Sequence, residues 1–457
     1  MSNRLQTALA AWALACLPVL ACAQDAAPAR LAAEIAAHAP LMDNLEALCD
    51  GIGPRLTGST RLRAAQAWAM ARLTQYGATN VHLEAYDLGR PWRRGAARAR
   101  LRNANRMPLD VVQKAWTEGT HGEITADVAL LDVKTLDQFK AALPALKGKL
   151  VLVVSSPVAS PEQQRDLARF RADIDQAIDA AQLAGVLLIS TKAGSLRDMW
   201  GGPASRFKRN AGIITRENAN MLQRLLARGV VPRVALALEG GFGKLPVQAH
   251  NVVADFPGTG VDGAVVIVGA HLDSWDLGSG ATDNASGVVM ALEVLRAMHA
   301  AGLRPQHTLR VVLFSGEEQG LLGSRAYVAA HRADLPAIQA VLVQDTGAGR
   351  ITGFPDMKVE AWFAALSTAV LPAQALGPVD IVYAVGKGSD YDSFFEQGVP
   401  AFAPMQDALD YRSVTQHTQA DTVEHVDKAN LVQATQVMAV TAWGLLNAPR
   451  LPHVTPD

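Results

Sequence analysis

The chain has 457 residues, of which 49% are hydrophobic and 19% are charged. This composition supports a sizeable core and excludes a disordered or collagen-like chain. The formal net charge is −1, so the chain has no overall basic excess of the kind that nucleic-acid-binding proteins use, and we expect no nucleic-acid partner.

An export signal is predicted at residues 1–23. Arg4 supplies a positive start, an apolar stretch runs from about Ala8 to Leu20, and Ala21-Cys22-Ala23 is a cleavage site of the A-x-A type. The apolar stretch is too short for a membrane span, and no later stretch resembles one. We therefore expect a secreted or periplasmic protein. A lipid on Cys22 is the alternative, although Leu20 stands where a smaller or β-branched residue is more usual.

After removal of the signal, Cys49 is the one cysteine left. An internal disulfide is then impossible, so the mature protein must rely on its core or on a metal. Cys49 ends the pattern of a buried helix face that begins at Leu45. We interpret it as a structural cysteine and not as a nucleophile.

The remaining pattern divides into a main domain and an insertion. Residues 24–117 are predicted to begin the main domain, with a helix from Arg61 to Tyr76 and a strand from Val81 to Tyr86. Seven arginines lie between Arg90 and Arg106, and the alternation over residues 97–102 favours a half-exposed strand over a site for polyanions. Residues 118–241 contain no cluster of potential ligands and are predicted to form an inserted, non-catalytic lid domain.

Residues 242–457 are predicted to form most of the main domain. Strands at Ala264–Ala270, Thr308–Phe314 and Ala340–Val343 alternate with helices at Ser286–Met298 and Gly323–Ala330. This alternation predicts an α/β fold with a mostly parallel, mixed sheet flanked by helices.

Acidic and imidazole side chains follow the ends of the strands in this region. They are His271, Asp273, Glu317, Glu318 and Asp345, with Asp283 in a loop before a helix and His417 near the C-terminus. Ligand sites of open α/β sheets form at the carboxyl ends of the strands. Imidazole and carboxylate ligands suit a divalent transition metal, most naturally zinc.

Five of these residues meet the requirement of a two-ion site. Two ions about 3.5–4 Å apart can be held by five ligands if one carboxylate is shared. The predicted ligands are His271, Asp283, Glu318, Asp345 and His417, with Asp283 as the bridge. His425 is an alternative ligand to His417. The Asp421-Thr422 turn that follows His417 favours His417 as the ligand.

Two further acids have predicted roles beside the ions. Asp273 lies two residues from His271 and could accept its distal N–H, which would fix the tautomer. Glu317 is adjacent to a ligand and spare, so it could act as a general base toward the water that the ions activate.

This set of residues resembles the co-catalytic dizinc exopeptidases related to bacterial leucyl aminopeptidases. Within that family the carboxypeptidase Q group is the nearest likeness, through segments 53–59, 269–276, 303–310 and 417–422. The resemblance implies the zinc-exopeptidase fold, a protease-associated-like insertion and a secreted homodimer that acts on dipeptides with free termini. It also implies one zinc ion on His271, Asp283 and Asp345, and the other on Asp283, Glu318 and His417.

Departures from the carboxypeptidase Q pattern keep a second specificity open. The loop Asp283–Gly287 resembles the wider family more, and Gln416 stands where carboxypeptidase Q has a second histidine. The first hypothesis is a carboxypeptidase Q-like dipeptidase, and the alternative is an aminopeptidase. A single-zinc glutaminyl cyclase and a non-catalytic binding protein are disfavoured, because the full ligand set and Glu317 are present. No substrate-binding residue is assigned, although Gly386–Tyr391 is expected to line the pocket.

Overall fold

The structure is a computed structural model that describes residues 26–103, 105–132, 136–154, 181–203 and 210–454. The predicted export signal at residues 1–23 lies outside the described residues. None of the helices in the described part of the chain combines the length and apolar character that crossing a bilayer requires.

Three helices begin the described chain: α1 (Ala27–His38), α2 (Leu41–Glu46) and α3 (Thr60–Gln75). The hydroxyl of Ser59 accepts a hydrogen bond from the Leu62 amide and caps α3. The predicted helix is confirmed, with both ends one residue earlier than expected. A π-helical turn from Ala47 to Ile52 follows α2 and contains the buried thiol of Cys49. Burial raises the pKa of that thiol to about 11, so a structural role for Cys49 agrees with its environment.

One mixed sheet lies mainly within residues 97–238. The elements up to the end of this region are β1 (Thr79–Gly89), β2 (Trp92–Arg93), β3 (Ala97–Leu101), β4 (Pro108–Leu109), β5 (Val111–Gln113), β6 (Ile124–Leu131), α4 (Leu136–Leu146), β7 (Leu150–Val153), β8 (Gly185–Ile189), β9 (Ala211–Ile214), α5 (Arg216–Ala227), β10 (Arg233–Leu238) and β11 (Gly241–Phe242). The sheet order is β4-β3-β10-β6-β7-β8-β9-β5, and β11 pairs with β2 alone.

This sheet begins earlier than the insertion boundary expected at residue 118. Strands β3, β4 and β5 precede that boundary, yet β3 pairs with β10 and β5 pairs with β9. The physical reason is the alternation of β3, which buries Ala99 and Leu101 in the core of the second sheet. The opposite face carries exposed arginines, of which Arg98 and Arg102 pair with glutamates. The predicted solvated strand face is confirmed.

A six-stranded sheet forms the centre of the main domain. The elements that complete the chain are β12 (Val247–Phe256), β13 (Val265–His271), α6 (Ser286–Ala300), β14 (Thr308–Phe314), α7 (Leu322–Ala330), β15 (Ile338–Val343), β16 (Ile351–Pro355), α8 (Glu360–Val370), β17 (Asp380–Val382), α9 (Tyr391–Phe395), β18 (Ala401–Phe402), β19 (Met405–Gln406) and α10 (Lys428–Leu446). The order of the sheet is β1-β12-β14-β13-β15-β18.

The pairing confirms the predicted mixed α/β fold. Strands β13, β14, β15 and β18 run parallel, whereas β12 pairs antiparallel with both β1 and β14. The parallel strands are almost continuously apolar, because helices cover both faces of such a sheet. Helix α6 is buried along nearly its whole length and packs with α10 and β13. The carboxyl ends of β13, β14 and β15 therefore meet at one edge.

Candidate metal centre

Three of the predicted ligands follow directly from the parallel strands. His271 is the last residue of β13, Glu318 follows the end of β14, and Asp345 follows the end of β15. Because β13 pairs with both β14 and β15 in parallel, the three side chains emerge at the same edge of the sheet.

Asp283 and His417 reach this edge from loops. Asp283 lies in a short turn, Ala281–Ala285, that leads into α6. His417 follows the turn Tyr411–Thr415 and has a left-handed backbone, with φ of 64°. Five ligand candidates from five separate segments are thereby brought together.

The carboxylate of Asp283 lies between the two histidines. Its Oδ1 is 3.1 Å from His271 Nε2, and its Oδ2 is 3.5 Å from His417 Nε2. His271 Nε2 is also 3.1 Å from Asp345 Oδ1. His417 Nε2 is 3.1 Å from Glu318 Oε2. In the described residues the groups able to hold a metal ion are His271–Asp283–Asp345 and Asp283–Glu318–His417.

Burial of these ligand atoms fits a pair of cations. The side chains of His271 and Asp283 are 0% and 4% exposed, and that of Glu318 is 2% exposed. Asp283 Oδ2 and Glu318 Oε1 are buried without a hydrogen-bond partner. Buried carboxylate oxygens normally have partners, so these atoms leave coordination positions open for a metal ion. His417 is 32% exposed and marks the open side of the group.

The electrostatics of the edge also fit bound cations. Burial raises the pKa of Glu318 to about 7, and burial with the charges of Asp273 and Asp345 raises the pKa of Asp390 to about 8. Burial lowers the pKa of His417, but the charges of Glu318 and Asp283 outweigh it and raise that pKa to about 9. Buried acids crowd this edge, and a divalent ion would relieve their repulsion.

Asp273 contacts His271 differently from the prediction. His271 Nδ1 is 2.9 Å from the main-chain oxygen of Asp273 and 3.7 Å from its carboxylate Oδ1. The main chain of Asp273, not its carboxylate, is therefore the acceptor. Asp273 Oδ2 accepts a hydrogen bond from the Thr57 hydroxyl at 3.0 Å. Either acceptor would leave His271 Nε2 free for a metal.

Glu317 lies beside both ligand groups and belongs to neither. Its amide is 3.4 Å from Asp273 Oδ1. Burial and the charge of Asp345 raise the pKa of its carboxyl well above the usual range. A carboxylate with a raised pKa next to a metal pair is suited to accept a proton.

His425, the alternative to His417, lies elsewhere. Its Nδ1 is 2.6 Å from Asp410 Oδ2, and it belongs to neither ligand group. The structure thus brings His417, not His425, to the other four predicted ligands.

The insertion contacts the segment of His417. The Met199 amide donates to the His417 carbonyl at 3.0 Å, and Asp198 forms a β-bridge with Thr418. The Trp275 ring lies edge-on to the His417 imidazole at 6.1 Å. The insertion therefore supports one side of the site.

Several residues near the ligands were given no role by the sequence. Arg55 and Thr57 belong to segment 53–59, which contributes to the family resemblance but has no predicted function. Asp421 is predicted only to belong to a turn. Tyr411 is buried beside Asp283, and burial with the charges of Asp283 and Asp345 raises the pKa of its phenol well above the usual range. Their proximity depends on contacts between residues far apart in sequence, which no local pattern encodes.

Comparisons with known proteins agree with this geometry. Residues 251–442 match Peptidase family M28. Carboxypeptidase Q of Mus musculus is 30% identical over 410 residues, which cover 88% of this chain and 84% of that protein. The solved peptidase M28 precursor of Shewanella amazonensis SB2B is 27% identical, with a TM-score of 0.82 and coverage of 94% and 98% of the two chains.

A further solved structure shares the fold at lower identity. The zinc aminopeptidase BSAP of Bacillus subtilis is 19% identical, with a TM-score of 0.67 over 88% of this chain and 93% of that one. The long match to carboxypeptidase Q covers both the ligand-bearing strands and the insertion. On this similarity the chain belongs to peptidase family M28 and is a metallo-exopeptidase.

Proposed function

We propose that the chain is an exported exopeptidase that uses two zinc ions to hydrolyse dipeptides with free termini. The observation that carries the proposal is the carboxylate of Asp283, whose two oxygens face His271 and His417. One ion would be held by His271, Asp283 and Asp345, and the other by Asp283, Glu318 and His417. Two such ions would polarise the scissile carbonyl and lower the pKa of the attacking water.

Glu317 is the proposed general base. It takes a proton from water as the water oxygen forms a bond to the carbonyl carbon, and it delivers that proton to the leaving nitrogen as the C–N bond breaks. The raised pKa of its carboxyl suits both transfers. Tyr411 keeps its proton, and its phenol interacts with the carboxylate of Asp283.

Lys192 supports a substrate whose free carboxylate lies close to the scissile bond, as it does in a dipeptide. It belongs to the insertion, its ammonium donates to the main-chain oxygen of Arg412, and its charge acts on Asp283 and His417. A cation at the margin of the site would attract the free carboxylate of a short substrate. The alternative, an aminopeptidase, is supported by the loop Asp283–Gly287, which resembles the wider family.

Export and assembly complete the proposal. The predicted signal at residues 1–23 supports secretion or delivery to the periplasm. The homodimer follows only from the resemblance. Light scattering of the mature chain would give twice the monomer mass if the homodimer forms, and the monomer mass if it does not.

A peptide panel tests the substrate class. Free dipeptides, N-acetylated dipeptides, C-terminal amides and one longer peptide are incubated with the enzyme, with and without a chelator, and products are identified by mass spectrometry. Cleavage of free dipeptides alone, abolished by the chelator, is the expected result. Release of N-terminal residues from the amides and the longer peptide would instead establish the aminopeptidase. No cleavage by the zinc-loaded protein would refute both.

A further inference from the structure

Arg55 is fully buried and binds the backbone around the ligand-bearing loop. Its Nε donates to the carbonyl of Leu272, the residue after His271, at 2.8 Å. Its Nη1 and Nη2 donate to the carbonyls of Ser279 and Gly280 at 2.7 and 2.9 Å. The guanidinium therefore connects the end of β13 to the loop that leads to Asp283.

Asp421 accepts hydrogen bonds from the backbone amides of the same loop. Its Oδ1 accepts from the Thr282 amide at 2.7 Å and from the Thr282 hydroxyl at 2.8 Å. Its Oδ2 accepts from the amide of Asp283 at 3.1 Å. Its main-chain oxygen accepts from the amides of Ser279 and Gly280 at 2.8 and 3.2 Å. The residue thus joins the segment after His417 to the backbone of the bridging aspartate.

The two buried side chains act on one stretch of backbone. Arg55 engages the carbonyls of Ser279 and Gly280, and the main chain of Asp421 engages their amides. Burying a guanidinium or a carboxylate is costly unless hydrogen bonds and an opposite charge compensate it. Here backbone groups supply the bonds, and the two residues are close enough for their opposite charges to attract. Neither residue belongs to a ligand group.

We propose that Arg55 and Asp421 are positioning residues that hold the Asp283 loop so that its carboxylate can serve two metal ions at once. This inference rests on the proposed dizinc function. A carboxylate on a loop has more conformational freedom than one at a strand end, and groups that orient metal ligands typically contribute about 10–100-fold to metal affinity.

The decisive variant is Asp421→Asn in the full mature chain. The two carboxylate oxygens accept from different amides, Oδ1 from Thr282 and Oδ2 from Asp283. Asparagine replaces one of these oxygens with an NH2 group, so one of the two amides loses its acceptor. Zinc affinity, measured by competition with a chromogenic chelator, is expected to fall about 10–100-fold for both ions, because Asp283 is shared. Metal content per chain and the melting temperature of the metal-free protein are measured in parallel.

Asp255→Asn is the matched control. Asp255 is also a buried carboxylate, bound by Arg310 at 2.7 and 3.0 Å near the start of β14, whereas the site follows the end of that strand. This variant is expected to lower the melting temperature and to leave zinc affinity unchanged. A merely structural role for Asp421 would make the two variants behave alike.

The outcomes are distinct. Weaker zinc binding in Asp421→Asn alone supports the proposal, whereas wild-type affinity in that variant, or an equal loss in both variants, overturns it. If Asp421→Asn does not fold, Thr282→Val removes the hydroxyl bonds to Asp421 and Thr415 but keeps the main-chain bond to Asp421, and unchanged zinc affinity there overturns the proposal. A wild-type chain that binds no zinc would contradict the proposed function itself.

Discussion

Replacement of Glu317 by glutamine separates metal binding from proton transfer. Glutamine has nearly the same shape as glutamate but cannot take up a proton at neutral pH. Glu317 belongs to neither ligand group, so the variant is expected to retain two zinc ions per chain. Its one predicted defect is the loss of the base.

The expected loss of rate follows from the role of the Glu317 carboxyl as a general base. Burial and the charge of Asp345 raise its pKa well above the usual range, toward the pH at which a base is most effective. A positioned general base contributes about 10²–10⁴-fold to rate. At 1.36 kcal/mol for each factor of ten, the variant should lose about 3–5 kcal/mol of transition-state stabilisation.

The assay is the initial rate of dipeptide cleavage, with zinc content measured on the same samples. The expected result is a fall in kcat with little change in KM. Glu293→Gln is the matched control, because Glu293 is a buried carboxyl bound by Arg296 on α6 and is expected to leave turnover intact. A zinc-loaded Glu317→Gln enzyme with turnover within tenfold of the wild type would refute the assignment.

Three further predictions concern stability and metal binding. Removal of zinc should lower the melting temperature, and zinc added back at about 100 times its Kd should restore about 2.7 kcal/mol for each ion that binds; identical melting of the two forms would contradict this. Burial raises the pKa of Asp390 to about 8, so the folded metal-free protein binds more protons than the unfolded chain and its stability should fall between about pH 4 and pH 8, by at most about 1.4 kcal/mol per pH unit for this group. In Asp390→Asn, the free energy of unfolding, measured by denaturant titration at several pH values, should depend less steeply on pH. An unchanged pH dependence would exclude Asp390 as its source. Asp198 accepts hydrogen bonds from Thr191 and forms the bridge to Thr418, so Asp198→Ala should weaken the zinc ion on His417 more than the other; equal weakening of both ions, by metal titration, would argue against this support.

The strands and the candidate ligands could be predicted from the sequence because both are encoded locally. Strand β14 has the predicted bounds, since its run of apolar residues is closed by Ser315 and Gly316. Polar residues that follow three such strands must lie at one edge if the strands are parallel. The rule needs only the order of the elements, and it correctly brings His271, Glu318 and Asp345 together.

The parts that sequence could not supply depend on main-chain contacts. The acceptor for His271 Nδ1 is a carbonyl oxygen, which every residue at position 273 would carry, so the residue type pointed to the carboxylate instead. The hydrogen bond from the Met199 amide to the His417 carbonyl is also a main-chain contact, so no residue type in the sequence indicates it. The pairing of β3 with β10, more than 130 residues further on, is likewise not encoded by any local pattern.

The proposed ligands at strand ends and the proposed ligands in loops are supported in different ways. His271 lies at the end of β13, and Glu318 and Asp345 come shortly after the ends of β14 and β15. The hydrogen-bond ladders of these strands fix the position of the backbone there. Asp283 and His417 have no such ladder, and loops are the more mobile parts of a fold. Their backbones are instead bound by Asp421 and by the insertion, which supply hydrogen bonds where the sheet supplies none. Substitutions at these supports should therefore perturb metal affinity before they perturb the fold, whereas substitutions within the strands should do the reverse.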